Sequence, residues 1–172
     1  DITDKSASWL GILFFANFIP MLLFSPVAGV VADRFDRKVL LIVIRSVIAV
    51  LGATMAALIL GGVATPTVLV VMAFLLGTTY GFMGPAQSAA VANTVPSDAL
   101  MGAVSMASAG NNLCRIAGPA LAAPILAIWG TGWAFVVYAC SQAAVAILLL
   151  PIHLTSKLEA HDDAGMWQRY FD

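Results

Sequence analysis

The chain has 172 residues, of which 61% are hydrophobic and 10% charged, with a formal net charge of −1 and a mean hydropathy of +0.96. A water-soluble domain of this length needs a charged exterior, so lipid must be the solvent of this one. The near-neutral charge also removes any bulk electrostatic case for nucleic acid.

A membrane helix needs about 20 predominantly apolar residues. Five stretches meet that need: 8–32, 39–60, 67–95, 100–129 and 132–151. The connections are short: the charged segment Asp33-Arg34-Phe35-Asp36-Arg37-Lys38, then Gly61-Gly62-Val63-Ala64-Thr65-Pro66, then Pro96-Ser97-Asp98-Ala99, then Gly130-Thr131. Each holds a turn-forming residue. The expectation is an all-α membrane protein, an antiparallel up-down bundle of five transmembrane helices over 1–152. A polar tail, 153–172, follows and ends Met166-Trp167-Gln168-Arg169-Tyr170-Phe171, suited to a short interfacial segment.

Orientation follows from where the basic residues fall. If the first helix runs inward, Arg34, Arg37, Lys38, Lys157 and Arg169 are cytoplasmic, Arg45 can snorkel to the same side, and the outer side keeps only Lys5. Trp9, Trp129 and Trp133 then lie at outer ends, where an indole prefers the interface. The chain opens on Asp1-Ile2-Thr3-Asp4-Lys5, with neither an initiator Met nor a basic leader, so residues are expected before it.

The charged segment carries the chemistry. A positive-inside anchor requires only Lys and Arg, yet this loop also holds two aspartates. Asp33, ending the first helix, meets an unfavourable dipole and needs a nearby cation or a helix N-terminus. Asp36 is placed to N-cap the second helix, with Arg37, Lys38 and Val39 as its first turn.

Gly29, Asp33, Arg34, Arg37 and Lys38 fall at the spacing of the signature between the second and third helices of the major facilitator superfamily, and the chain resembles that family. Asp36 stands where the signature has its second Gly, a substitution compatible with turn geometry. The form Asp33-Arg34-Phe35-Asp36-Arg37 is similar to the branch of siderophore and multidrug exporters. Ile2-Thr3-Asp4-Lys5-Ser6 resembles the link from first to second helix. Arg115-Ile116-Ala117-Gly118-Pro119 resembles the Gly-Pro signature of the fifth helix of exporters, with Ala122-Ala123 in place of its following Gly pair. The resemblance implies an N-terminal-half fragment of a twelve-helix transporter, lacking its first helix and C-terminal half. It implies a cytoplasmic gate formed by Gly29, Asp33, Arg34, Asp36, Arg37 and Lys38, and a helix-kink motif at Gly118 and Pro119.

Within the spans, Arg115 is the only ionisable residue at mid-depth, at a cost of about 2.5–3.5 kcal/mol. Ser108, Asn111 and Asn112 share its helical face, and Pro119 removes the partner of its carbonyl, so a kink is expected. Two readings stand open: Arg115 with Asn111 and Asn112 lines a substrate cavity, or Arg115 staples helices by bonding backbone carbonyls. Gln87 and Tyr80 could reach a substrate, although bonding to neighbouring helices is the commoner role, and Asn17 reads the same way. Gly77-x-x-x-Gly81 and the row Gly102, Gly110, Cys114, Gly118, Ala122 read as small-residue seams for close helix contact. Cys114 and Cys140 read as packing residues. His153 and His161 lack ligand spacing, so no metal or other cofactor is expected. No carboxylate lies within the spans, so a coupling proton would be carried on a group outside this segment or by other means.

Hydrolase elbows, zinc-protease pairs and phosphate-cradling loops are all missing from the sequence. The resemblance to the major facilitator superfamily implies secondary-active efflux of a small amphipathic organic molecule by alternating access, in a bacterial inner membrane. The partners would be that small-molecule substrate, membrane lipid, a coupling proton and the remaining helices of the transporter, with no nucleic acid. Two alternatives are a small non-transporting membrane scaffold or partner subunit, and a half-size transporter that dimerises.

Overall fold

The computed structural model describes residues 7–94 and 99–151, and the side chains of all of these except 7, 33, 89, 91–94 and 100. Every regular element among the described residues is helical, as lipid demands of a chain that must satisfy its own backbone polar groups. The elements are α1 (Ala7–Arg34), α2 (Arg37–Leu60), α3 (Pro66–Thr94) and α4 (Leu100–Leu149). All four are long and apolar enough to cross a membrane.

The ends are closed by local chemistry. At the end of α2 the N–H groups of Gly61, Gly62 and Val63 bond the carbonyls of Ala57, Ile59 and Leu58 at 2.9, 3.1 and 3.1 Å. Gly62 takes φ +70°, a left-handed turn that suits glycine. Pro66 then opens α3, where its missing N–H costs nothing, and the Thr65 hydroxyl accepts from the Val68 N–H at 3.4 Å.

α4 is 50 residues long. Unbroken, it would run roughly 75 Å, more than twice the thickness of a bilayer core. Its single non-helical position is Gly130, at φ 80° and ψ 178°, where two helical stretches meet. Thus the break falls at the Gly130-Thr131 turn read from the sequence. Pro119 and Pro124 lie inside the helix, and their backbone keeps helical dihedrals.

Three seams hold the helices. In the first, α1 and α3 run parallel. A Cβ on Gly77 would collide with the Asn17 carbonyl oxygen, and one on Gly81 would lie 3.2 Å from Met21 Cα. The Gly77-x-x-x-Gly81 seam is therefore real, and Asn17 Nδ2 donates to the Ala73 carbonyl across it at 3.1 Å. In the second, Leu41, Ile44 and Ile48 of α2 pack with Ala86 of α3. In the third, α2 pairs with 131–149 and its C-cap Leu150, through Lys38 with Leu150, Arg45 with Gln142, Gly52 with Ala139, and Leu60 with Gly132. Numbering falls on one side as it rises on the other, so these two stretches are antiparallel.

The stretch 100–129 differs. Its side chains are exposed almost throughout, Met101 at 80% and Ile116 at 76%. A Cβ on Gly102, Gly110 or Gly118 would meet nothing within 4 Å. The three glycines of the row expected to make a close contact therefore pack on nothing among the described residues. Cys114 and Cys140, expected as packing residues, are exposed.

Candidate functional site

The α1–α2 corner is built by capping. The last turn of α1 extends to Phe35, whose N–H bonds the Val31 carbonyl at 3.1 Å. The chain then turns at Asp36, whose Oδ1 accepts from the N–H groups of Lys38 at 2.8 Å and Val39 at 3.2 Å. This is the N-cap read from the sequence: a carboxylate satisfies two orphan donors where the helix dipole is positive. Asp36 is thereby committed to its own backbone. Arg34 and Phe35 are exposed, and Arg37 and Lys38 half-buried. Lys38 Nζ donates to the Leu150 carbonyl at 2.7 Å, tying the start of α2 to the end of the last helical stretch. A lysine at a helix C-terminus satisfies an orphan carbonyl and complements the dipole. The Asp33 side chain lies outside the described residues, and Gly29 has nothing within 4 Å of where a Cβ would stand.

A second polar cluster joins three helices away from the corner. Arg45 Nη1 donates to Gln142 Oε1 at 2.7 Å. One turn before Gln142, the Tyr138 hydroxyl shares a hydrogen bond with the Tyr80 hydroxyl at 2.5 Å. Gln142 is buried at 9% exposure; Arg45, Tyr80 and Tyr138 are half-buried. α2 and α3 are thus each tied by one polar contact to the last stretch of α4, beside the Leu41, Ile44, Ile48 core.

Several sequence expectations change here. Tyr80 bonds a neighbouring helix. Gln87 is exposed and bonds nothing among the described residues. Arg45, expected to snorkel, is turned onto Gln142 instead. Arg115, Asn111 and Asn112 stay together on one face but are exposed and unpartnered among the described residues. They are brought to neither polar cluster, and the staple reading of Arg115 finds no carbonyl partner here. Gly118 and Pro119 lie on the same unpacked stretch. Thr78 and Thr79, polar residues of α3, satisfy themselves on the carbonyls of Phe74 and Leu75 at 2.9 and 2.8 Å. Sequence reading passed over Tyr138 and Gln142. Their spacing on one helical face, amid apolar residues, was the available signal. Among the described residues no group of His, Cys, Asp and Glu could hold a metal ion.

The corner and the seams thus belong to a bundle of helices long and apolar enough to cross a membrane. The transmembrane secretion effector family of the major facilitator superfamily matches residues 2–162. The chain belongs to that family. Two relatives of the family are similar to it. One is the staphyloferrin A transporter of Staphylococcus aureus, 32% identical over 152 residues, covering 88% of this chain and 38% of the relative. Another is macrolide efflux protein A of Streptococcus pyogenes, 26% identical over 130 residues, covering 74% of this chain and 32% of the relative. The chain therefore spans less than two fifths of the length of the curated relatives it matches. No solved structure matches it. Four long apolar helices in a family of bacterial transporters make it an integral protein of the bacterial plasma membrane.

Proposed function

We propose that this chain forms part of a secondary-active exporter that moves a small amphipathic organic molecule out of the cell by alternating access. The observation that carries the reading is the α1–α2 corner. Its residues match the superfamily signature, Asp36 caps α2, and Lys38 bonds the end of the last helical stretch. A loop so fixed on one side leaves Asp33, Arg34 and Arg37 to make contacts formed in one transport state and broken in the other, which biases the equilibrium between them. The names of the relatives, a siderophore transporter and a macrolide efflux protein, support a substrate of that kind.

The finer architecture belongs to the same proposal. The break at Gly130 supports reading 100–129 and 131–149 as two spans, giving five in an up-down order. They would be the second to sixth helices of a twelve-helix transporter, with the α1–α2 corner and the tail cytoplasmic. The unpacked stretch 100–129 would then face other helices, and Arg115, Asn111 and Asn112 would face the central cavity between the two halves. Gln87 would do the same.

The test is substrate extrusion by the full-length protein in bacteria stripped of their own exporters. Energy-dependent loss of a siderophore or macrolide from loaded cells is expected, and Asp33→Asn should slow it while leaving membrane insertion intact. Extrusion at the rate of empty-vector cells, across both substrate classes, would overturn the reading.

A further inference from the structure

We propose that the face of 100–129 carrying Arg115 binds an anionic group of the transported molecule, such as a carboxylate, so that the substrate class is the anionic amphiphile and not the cationic one. This rests on the export reading above and adds the sign of the substrate's charge to it.

Arg115 stands at the middle of its stretch, with Ser108, Asn111 and Asn112 in the two turns before it. At 3.6 residues per turn the four fall within about 100° of one another, while Met106, Leu113 and Ala117 take the opposite side. All four polar side chains are exposed, and none has a partner among the described residues. The patch runs about 10 Å along the helix axis. A guanidinium presents a planar fork that fits a carboxylate through two bonds, and each asparagine amide adds donors beside it. A carboxylate from another helix would need the guanidinium alone; the line of polar groups suits a ligand whose polar atoms continue beyond its anionic end.

Charge complementarity fixes the sign. Between Lys38 and Pro151 the sequence has one carboxylate, Asp98, in the turn before α4. Among the described residues the acidic side chains lie at the α1–α2 corner, and Asp36 there is spent on its cap. Arg45, the other cation of the spans, rests on the neutral Gln142 oxygen, so its charge is not cancelled either. A cationic molecule at mid-depth would therefore meet two guanidinium groups and no counter-charge from these helices. An anionic one meets Arg115, in a low-dielectric setting where the attraction is stronger than in water. Depth separates this ligand from lipid: headgroups lie at the edges of the bilayer core, whereas a transporter of this architecture holds its substrate near the midplane.

The test uses two xanthene dyes of similar size and opposite charge, the anionic carboxyfluorescein and the cationic rhodamine 6G. Their binding to the full-length protein in nanodiscs of neutral lipid is read by fluorescence anisotropy, with empty discs subtracted. Wild type should bind carboxyfluorescein at least tenfold more tightly than rhodamine 6G. Arg115→Gln should weaken carboxyfluorescein at least tenfold and remove the preference, and Arg115→Lys should weaken it yet keep the preference. Equal binding of the two dyes by wild type, a preference for rhodamine 6G, or binding of neither would overturn the inference. Unchanged carboxyfluorescein binding in Arg115→Gln would overturn it too. A wild type without anion preference whose melting temperature falls on Arg115→Gln substitution would assign Arg115 to a carboxylate of another helix instead. Export is measured separately in cells, so a protein that extrudes its substrates without preferring the anionic dye sinks this inference alone.

Discussion

Gly77 rests on the backbone of Asn17, so closely that a methyl group in its place would collide with the Asn17 carbonyl oxygen. Lipid gives helices no hydrophobic reason to associate, so this approach of two backbones supplies van der Waals contact that a larger residue would prevent. Gly77→Ala should destabilise the bundle by about 1–3 kcal/mol, the usual range for overpacking. Gly102→Ala, where nothing lies within 4 Å, should be neutral or slightly stabilising through helix propensity. Thermal unfolding in detergent separates the two, and equal melting temperatures would refute the seam.

Arg45 and Gln142 should behave as a unit. Gln142→Leu leaves the guanidinium without its acceptor and should cost about 1–3 kcal/mol. Arg45→Met removes the charge as well, so adding Gln142→Leu to it should cost much less. A double-mutant cycle that gives strictly additive losses would mean the 2.7 Å contact carries no coupling. The Tyr80–Tyr138 pair offers a parallel cycle through the Phe variants, with a coupling of about 0.6 kcal/mol expected for a hydrogen bond between membrane helices.

Asp36 separates capping from gating. Asp36→Asn keeps an oxygen on the Lys38 and Val39 N–H groups and loses the charge; Asp36→Ala loses both. The alanine variant should lower stability by about 1 kcal/mol and the asparagine variant by much less. If the residue serves only as a cap, extrusion should follow stability, with Asp36→Asn close to wild type. An Asp36→Asn protein that is stable yet does not transport would show that its charge is needed for gating.

Arg115 tests the proposed cavity. Arg115→Lys keeps the charge but loses the planar fork that binds anionic or carbonyl oxygens, and Arg115→Met loses the charge and keeps much of the volume. In the full-length protein both should fold with little change in melting temperature, since no described residue bonds Arg115. Substrate binding should weaken about tenfold or more in the lysine variant, the loss of one charge-assisted hydrogen bond. Wild-type binding and transport in both variants would remove Arg115 from the cavity.

Orientation can be read by labelling. In a background with Cys114 and Cys140 replaced by Ser, Phe35→Cys should react with an impermeant thiol reagent only after the membrane is opened. Ala64→Cys should react in intact cells. Phe35 is 60% exposed, so a failure to label from within could not be blamed on burial. Labelling of Phe35→Cys from outside would invert the proposed topology.

The elements most legible in the sequence were those set by neighbours along the chain. Asp36 followed by a basic turn is an N-cap wherever the helix goes. Gly61-Gly62 is a helix stop, and the Gly130-Thr131 break is required because no bilayer accommodates an unbroken helix over 100–149. Gly77-x-x-x-Gly81 was legible for a related reason, since small residues one turn apart leave a flat face that only another backbone can fill. Asn17 bonds a neighbouring helix, and so does Tyr80, which was read both as a residue that could reach a substrate and as one that bonds a helix.

Partnership was another matter. Arg45 looked like a snorkelling cation because nothing nearby in sequence could hold it; the acceptor, Gln142, lies 97 residues away. Lys38 looked like one more basic residue of a loop, yet its partner is a carbonyl 112 residues on. The small-residue row of 100–129 carried the same composition as the Gly77 seam and found no neighbour among the described residues. The sequence by itself determined the solvent, the helices, their breaks and their caps, because each depends on hydropathy, φ and hydrogen bonds within a few residues. Only the tertiary structure decided which faces meet and which polar groups are paired, because those contacts depend on bringing together helices that the chain separates.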